Sequence, residues 1–533
     1  MKRVMKDSKH SKNQVSRCLF IIICLFALLL TGCSSEFTKP EAQDLTVLTK
    51  RLPTKGLLQE MKDGEQAISP GPDWLTGINP RKNLIFLGVT GEPDHVFGTL
   101  LKIDLNANIL HYAPLSPEDT PLTILADKEQ RMALKELTRS WSEEAESLAG
   151  TSVRTISLDN LNQKLTSPIP CPSRIYAVAA NYPSHLFMDL SLPDKKELIA
   201  HLQKSRPRIF QKYPPVAAPG ESAADGETYA ELPGPFGTLA APEQVRVPLL
   251  DGQSQKVSGH LDYEVEIAAV IGRNLSWDEV QNMDDQELQR IVTGYLLVSD
   301  SKVRDPQVMG NIVRTYRGDE VPPNNSYRIG YNALDVGLGI WDETTCHWWS
   351  YAASWGHYAS LGPFLVTATD QDQLPPRMIL SARSYTSASD RPISPPTGVP
   401  TDRFLLRQAT LTTTAPDYPD ALIWGIPEII RSLLDPSENA LAFANEVPTL
   451  RAGDLIALGT PGGTVISAKP WWLMSVAKHL LFWKGPDDFY DMFFDPTEGY
   501  YLNQGDQLFL WAEGLGYQQL RIGTPGASNL QKR

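Results

Sequence analysis

The sequence is poor in cysteine, in long apolar runs and in clustered positive charge. Five cysteines in 533 residues, none of them in a C-x-x-C pair, exclude a disulfide-dense scaffold. The unbroken apolar stretch Leu19–Leu30 has twelve residues, whereas a membrane-spanning helix needs about 20. No basic stripe follows the first twenty residues and the net charge is −13, which argues against a nucleic-acid binder. A Gly-rich phosphate loop, a G-x-S-x-G elbow and an H-E-x-x-H helix are all missing, so those enzyme classes lose their support. Internal repeats are absent too. What remains is ordinary globular composition, 42% hydrophobic and 21% charged, with room for two or three domains.

The charge is unevenly spread. Residues 1–32 carry Lys2, Arg3, Lys6, Lys9, Lys12 and Arg17 against the single acid Asp7, and the remainder has 43 basic and 61 acidic residues, a charge of −18. A basic head, a short apolar core and then small residues form a secretory signal. Leu30-Thr31-Gly32-Cys33 resembles the bacterial lipobox, which implies a signal over 1–32 and lipidation of Cys33. An ordinary cleaved signal, or an amino-terminal anchor with a chance cysteine, is the alternative. With Ser34 following, the resemblance implies the outer membrane, the body facing the periplasm, and a lipid-held but otherwise soluble chain. Cys171 and Cys346 are then the only cysteines left in the body, expected as two buried thiols, with a disulfide between them as the alternative.

Residues 33–80 read as a polar tether and 81–165 as a small amino-terminal β domain. Asn83–Val89 and Gly98–Asp104 read as strands, and Asp127–Ala149 as a helix with Met132, Leu134, Leu137, Trp141 and Leu148 on one face. From Pro172 the chain is strand-rich, with strands expected over Arg174–Ala180, Leu261–Gly272, Gly294–Asp300, Gly362–Thr367, Arg407–Thr413, Asp454–Gly459 and Gln507–Trp511. A short helix is expected over Pro427–Leu434. The pattern predicts an α+β, β-rich fold with largely antiparallel sheets rather than a doubly wound one.

Leu261-Asp-Tyr-Glu-Val-Glu-Ile-Ala-Ala-Val-Ile-Gly272 places Glu264 and Glu266 two residues apart, on one face of a strand whose continuation is apolar on both faces. Paired buried carboxylates repel and lose hydration, so a cation must offset them. A hard divalent ion would do so. Asp300 ends another apolar strand and is a third acid of the same kind. Taken alone, Glu-x-Glu is a weak signal that more often marks a solvated strand face than a metal site.

These segments resemble the fumarylacetoacetate hydrolase (FAH) family. Asp262-Tyr-Glu-Val-Glu-Ile267 is similar to its D-Y-E-x-E-L strand, and Ser299-Asp-Ser-Lys-Val-Arg-Asp-Pro-Gln307 to its N-D-x-[ST]-A-R-D-x-Q segment. Ala180-Asn-Tyr-Pro-Ser-His185, Leu361-Gly-Pro-Phe-Leu-Val366, Ile426-Pro-Glu-Ile-Ile430, Leu450–Ile456 with Gly459-Thr-Pro-Gly-Gly463, and Glu513-Gly-Leu-Gly516 follow in family order. The likeness covers residues 172–525 and implies a mixed β-roll/β-sandwich catalytic domain. It interrupts that domain by insertions at about 311–352 and 465–498.

By that resemblance Glu264, Glu266 and Asp300 hold Mg²⁺, Mn²⁺ or Ca²⁺, which stabilises an enolate as a C–C bond beside a carbonyl breaks. His185 is the implied base, and Asp189 its partner four residues on, because Met188 stands where the family has Glu. Lys212, Arg304, Gln307 and Thr460 are the implied substrate-orienting residues. Arg304–Asp305 as an internal salt bridge, Thr460 as part of a tight turn and Lys212 as a surface residue are the plainer readings. Ala353 stands where the family carries a lysine. The insertion Val465–Glu498, with Trp471, Trp472 and Trp483, reads as a lid or dimer contact, or as an interfacial helix on the membrane.

The expectation is therefore a metal-dependent hydrolase or lyase of small oxo-acids, a homodimer by resemblance, and not a partner of nucleic acid. A catalytically silent, metal-keeping envelope scaffold that binds a ligand or partner is the alternative.

Overall fold

β-Branched and small apolar residues make two strands the centre of the molecule. Val265–Ile271 and Val292–Asp300 are buried along their whole length and run antiparallel, from Val265 opposite Ser299 to Ile271 opposite Val292. Strands covered on both faces read as continuous apolar runs, as these do. In the computed structural model the compact unit Trp74–Arg533 is described except for segments 183–205, 213–228, 307–348, 386–403, 411–421, 437–448, 461–500 and several shorter ones. Residues 1–74 also lie outside the described residues, and with them the signal and Cys33. Among the described residues no helix is long and apolar enough to cross a membrane.

Among the described residues the central sheet has twelve strands. Ten follow one path: Arg154–Ser157, Ile109–Pro114, His95–Asp104, Ile85–Thr90, Phe364–Thr367, Val292–Asp300, Val265–Ile271, Leu455–Ala457, Ile175–Ala179 and Arg208–Lys212. All neighbours are antiparallel except Leu455–Ala457 with Ile175–Ala179. Phe364–Thr367 pairs on one side with Ile85–Leu87 and on the other with Gly294–Tyr295. The block 81–165 therefore shares its sheet with the strands that follow residue 172.

A second, five-stranded sheet runs Thr238–Ala240, Gly516–Gly523, Gln507–Ala512, Arg377–Tyr385 and Phe404–Thr410. Gln518 ties it to the first: its buried side-chain amide donates to the carbonyls of Leu297, Ser360 and Gly362 at 3.0, 3.1 and 3.0 Å. With short helices between the strands, the fold is α+β and β-rich, as the sequence pattern predicts.

Two differences from the sequence reading are local. The helix expected to Ala149 spans only Lys128–Ser140, capped by Asp127, whose carboxylate accepts from the Glu129 and Gln130 amides. Trp141 leaves it with extended backbone and packs its ring 5.5 Å from His111, against the Leu101–Ala113 cluster. Tertiary burial of the indole ends the helix where the apolar spacing would continue it. The strand expected over Leu261–Gly272 is broken into Leu261–Asp262 and Val265–Ile271. The helix Ile426–Leu434 matches its reading, burying Ile426, Ile429, Ile430, Leu433 and Leu434 on one stripe.

Asn181 joins three segments. Its amide donates to the Trp424 and Leu458 carbonyls at 3.1 and 2.9 Å, and its oxygen accepts from the Trp424 amide at 2.8 Å. Asn181→Ala should leave those buried groups unsatisfied at about 1–3 kcal/mol each, seen as a lower urea midpoint with an unchanged slope. A loss under about 1 kcal/mol would contradict this role.

Candidate metal and active site

The break at Tyr263–Glu264 builds the site. Glu264 lies between the two short strands, yet its carbonyl still accepts from the Asp300 amide at 3.0 Å, so the two acids stand side by side. Glu266 follows within Val265–Ile271. The carboxylates of Glu264, Glu266 and Asp300 are buried and each offers an oxygen within 4.8 Å of the others. Oxygens around a hard divalent cation at about 2.0–2.6 Å from each ligand lie at such separations, so the donor set fits the ion.

Three cations surround these acids. Lys302, two residues past Asp300 and opposite Asp262 in an antiparallel pair, donates to Glu264 Oε2 at 2.9 Å and Asp300 Oδ2 at 2.7 Å. Its ammonium also lies over the rings of Phe210, at 5.1 Å, and Trp349, at 5.6 Å. Lys212, at the end of Arg208–Lys212, donates to Asp300 Oδ1 and to the Ser301 and Tyr358 carbonyls at 3.3 and 3.1 Å. Arg304 forks onto Asp262 Oδ2, at 3.0 Å from Nε and 2.9 Å from Nη2, and reaches Glu264 Oε1 at 2.5 Å. Both oxygens of Glu264 and both of Asp300 are thus engaged by cationic nitrogens.

Glu266 differs. Its Oε2 accepts from the Gly459 amide at 2.9 Å, and it makes no ion pair among the described residues. Burial, then the Asp300 and Glu264 charges, push its carboxyl well above the usual carboxylate range. Burial acts the same way on Asp300, but the Lys212 and Lys302 ammoniums outweigh it and hold Asp300 low. Burial depresses Lys212 despite Asp300. For Lys302 the burial penalty is overcome by Asp300 and Glu264, which hold its ammonium above the ordinary lysine value.

Gly459 donates to Glu266 from a left-handed conformation, φ 93°, and a Cβ there would meet Asn181 Cβ at 2.9 Å. Thr460 is buried, and its hydroxyl donates to the Val265 carbonyl at 3.2 Å, fixing the strand that carries Glu266. Lys212 is 2% exposed, so the surface reading of this residue is overturned. The Arg304–Asp305 pair is overturned as well: Asp305 accepts from Ser258 Oγ at 2.5 Å and faces His260 Nδ1 at 2.9 Å. Ala353 is buried and brings no charge. His185, Asp189 and Gln307 lie outside the described residues, as do the insertion 465–498 and Cys346.

The structure therefore brings together Glu264, Glu266, Asp300, Lys212, Arg304 and Thr460. Sequence reasoning missed Asp262 and Lys302 as members of the cluster. The signal was present: Lys302 stands at the Ser/Thr position of the motif quoted above.

No curated protein matches this chain. Solved structures do. The fumarylacetoacetate hydrolase of psychrophilic Exiguobacterium antarcticum is 14% identical, with 83% of this chain and 99% of that one covered and a TM-score of 0.41. The maleylpyruvate hydrolase of Sphingobium sp. SYK-6 is 16% identical over the same shares, at 0.39. The 5-carboxymethyl-2-hydroxymuconate delta-isomerase of Mycobacterium smegmatis is also 16% identical over those shares, at 0.38. Residues 174–320, which hold the acidic triad and its three cations, match the family model of the fumarylacetoacetate (FAA) hydrolase C-terminal domain.

Proposed function

We propose that this chain is an enzyme of small oxo-acids, cleaving a C–C bond beside a carbonyl by hydrolysis or carrying out a related hydration, decarboxylation or isomerisation. The observation that carries the reading is the buried Glu264–Glu266–Asp300 triad inside the segment that matches the family model. Mg²⁺ or Mn²⁺ held there would supply Lewis-acid stabilisation of an enolate. Around it, Lys212 offers a positive charge to substrate oxygens, and Arg304 acts through Glu264, whose carboxylate it fixes. Thr460 acts through the Val265 backbone. His185 is assigned as the base with Asp189 beside it, and Gln307 as a substrate contact. Lipid on Cys33 would hold the enzyme, a homodimer, to the outer membrane facing the periplasm.

The test is turnover of an acylpyruvate series and oxaloacetate with added Mn²⁺. His185→Ala should lower turnover by about 10²–10⁴-fold with metal binding unchanged. Absence of turnover across the series, with Mn²⁺ bound, would favour the other reading, a silent scaffold that keeps the metal. Buried, uncharged Ala353 at the family's lysine position is the observation on that side.

A further inference from the structure

Lys302 makes the contacts that a metal ion would make. Its ammonium bridges Glu264 and Asp300 at 2.9 and 2.7 Å, and it is 1% exposed. A divalent cation shared by the same two carboxylates would sit about 2.0–2.6 Å from each, almost where Nζ is. Two cations that close in a buried site repel strongly. The Lys302 backbone cannot move aside, because it is paired with Asp262 and the next residues are tied by Arg304, whose amide donates to the His260 carbonyl at 2.9 Å. Lys212 and Arg304 do not compete in this way, since each touches only one of the three triad carboxylates. In that same position the ammonium lies 5.1 and 5.6 Å from the Phe210 and Trp349 ring centroids, which favours its charge further.

We infer that Lys302 is a tethered competitor of the divalent cation: it fills the place between Glu264 and Asp300, and must swing away for metal to load. The inference rests on the reading of the triad as a metal site. It makes metal affinity weak by construction of the sequence, and couples loading to the position of one side chain.

The test titrates Mn²⁺ alone, without substrate, into wild type, Lys302→Met and Lys302→Ser, following bound Mn²⁺ by electron paramagnetic resonance and heat by calorimetry. Methionine keeps an unbranched apolar side chain and removes the charge; serine restores the residue type of the motif. Both variants should bind about tenfold more tightly or better, and Glu266→Ala in the Lys302→Met background should abolish the gain. The serine variant answers the question if methionine does not fold. Equal or weaker binding in the variants overturns the competition and leaves the triad as a metal site. No binding in wild type or either variant overturns the metal reading, and the inference with it.

Discussion

Replacing Arg304 with methionine should cost about 3–5 kcal/mol of stability at neutral pH, the loss typical when one partner of a buried ion network is removed. The guanidinium is 2% exposed and holds two carboxylates, Asp262 and Glu264, that are themselves buried. Burial opposes its charge, yet those two acids keep it protonated. Methionine restores the volume of the stem and none of the hydrogen bonds that Arg304 donates to Asp262 and Glu264. Arg304→Lys should lie between, because one ammonium cannot reproduce the planar fork onto two acids. Urea unfolding followed by intrinsic fluorescence measures both. A change under about 1 kcal/mol for methionine would show that the cluster relaxes without its arginine.

Glu266→Gln should move stability the other way. In EDTA at neutral pH the variant is expected to be more stable than wild type by about 1–3 kcal/mol, as when a poorly compensated buried charge is replaced. The direction follows from the raised carboxyl of Glu266. The folded state holds that proton more tightly than the unfolded one, so wild-type stability is greatest below the unfolded value of about 4.3 and falls as pH rises through the folded value. Glutamine removes that decline and can still accept from the Gly459 amide. With Mn²⁺ in excess the order should reverse, since only wild type gains by mass action. Thermal melts from pH 5 to pH 8, with and without metal, read this crossing; wild type more stable in EDTA at every pH would refute the account of Glu266.

The parts of the molecule legible in the sequence are those fixed by local pattern. The apolar runs around Ala268 and Leu296 announce buried strands, and the family resemblance carried by the acids at their ends implies the triad. Ile426–Leu434 shows its buried stripe directly. What was hidden depends on pairing between distant segments. Lys302 becomes a bridging cation because its strand lies opposite Asp262, beside the ring of Phe210 from the sheet's far edge. Asn181 has no spacing that would reveal its reach to Trp424. Trp141 ends its helix for the sake of a pocket made by Leu101 and Ala113.

The pairing of Ile85–Leu87 with Phe364–Val366 has its own consequence. Strands that end a sheet expose a row of unpaired amides and carbonyls, and an apolar one recruits a second chain. Without the amino-terminal block, Phe364, Leu365 and Val366 would form such an edge, next to the strand that carries Asp300. Four further strands carry the sheet outward, and among the described residues its margin is reached at Arg154–Ser157, where Arg154 and Thr155 are exposed. The block thus serves as a hem, moving the raw margin of the sheet that bears the acidic triad from its apolar heart to a polar border.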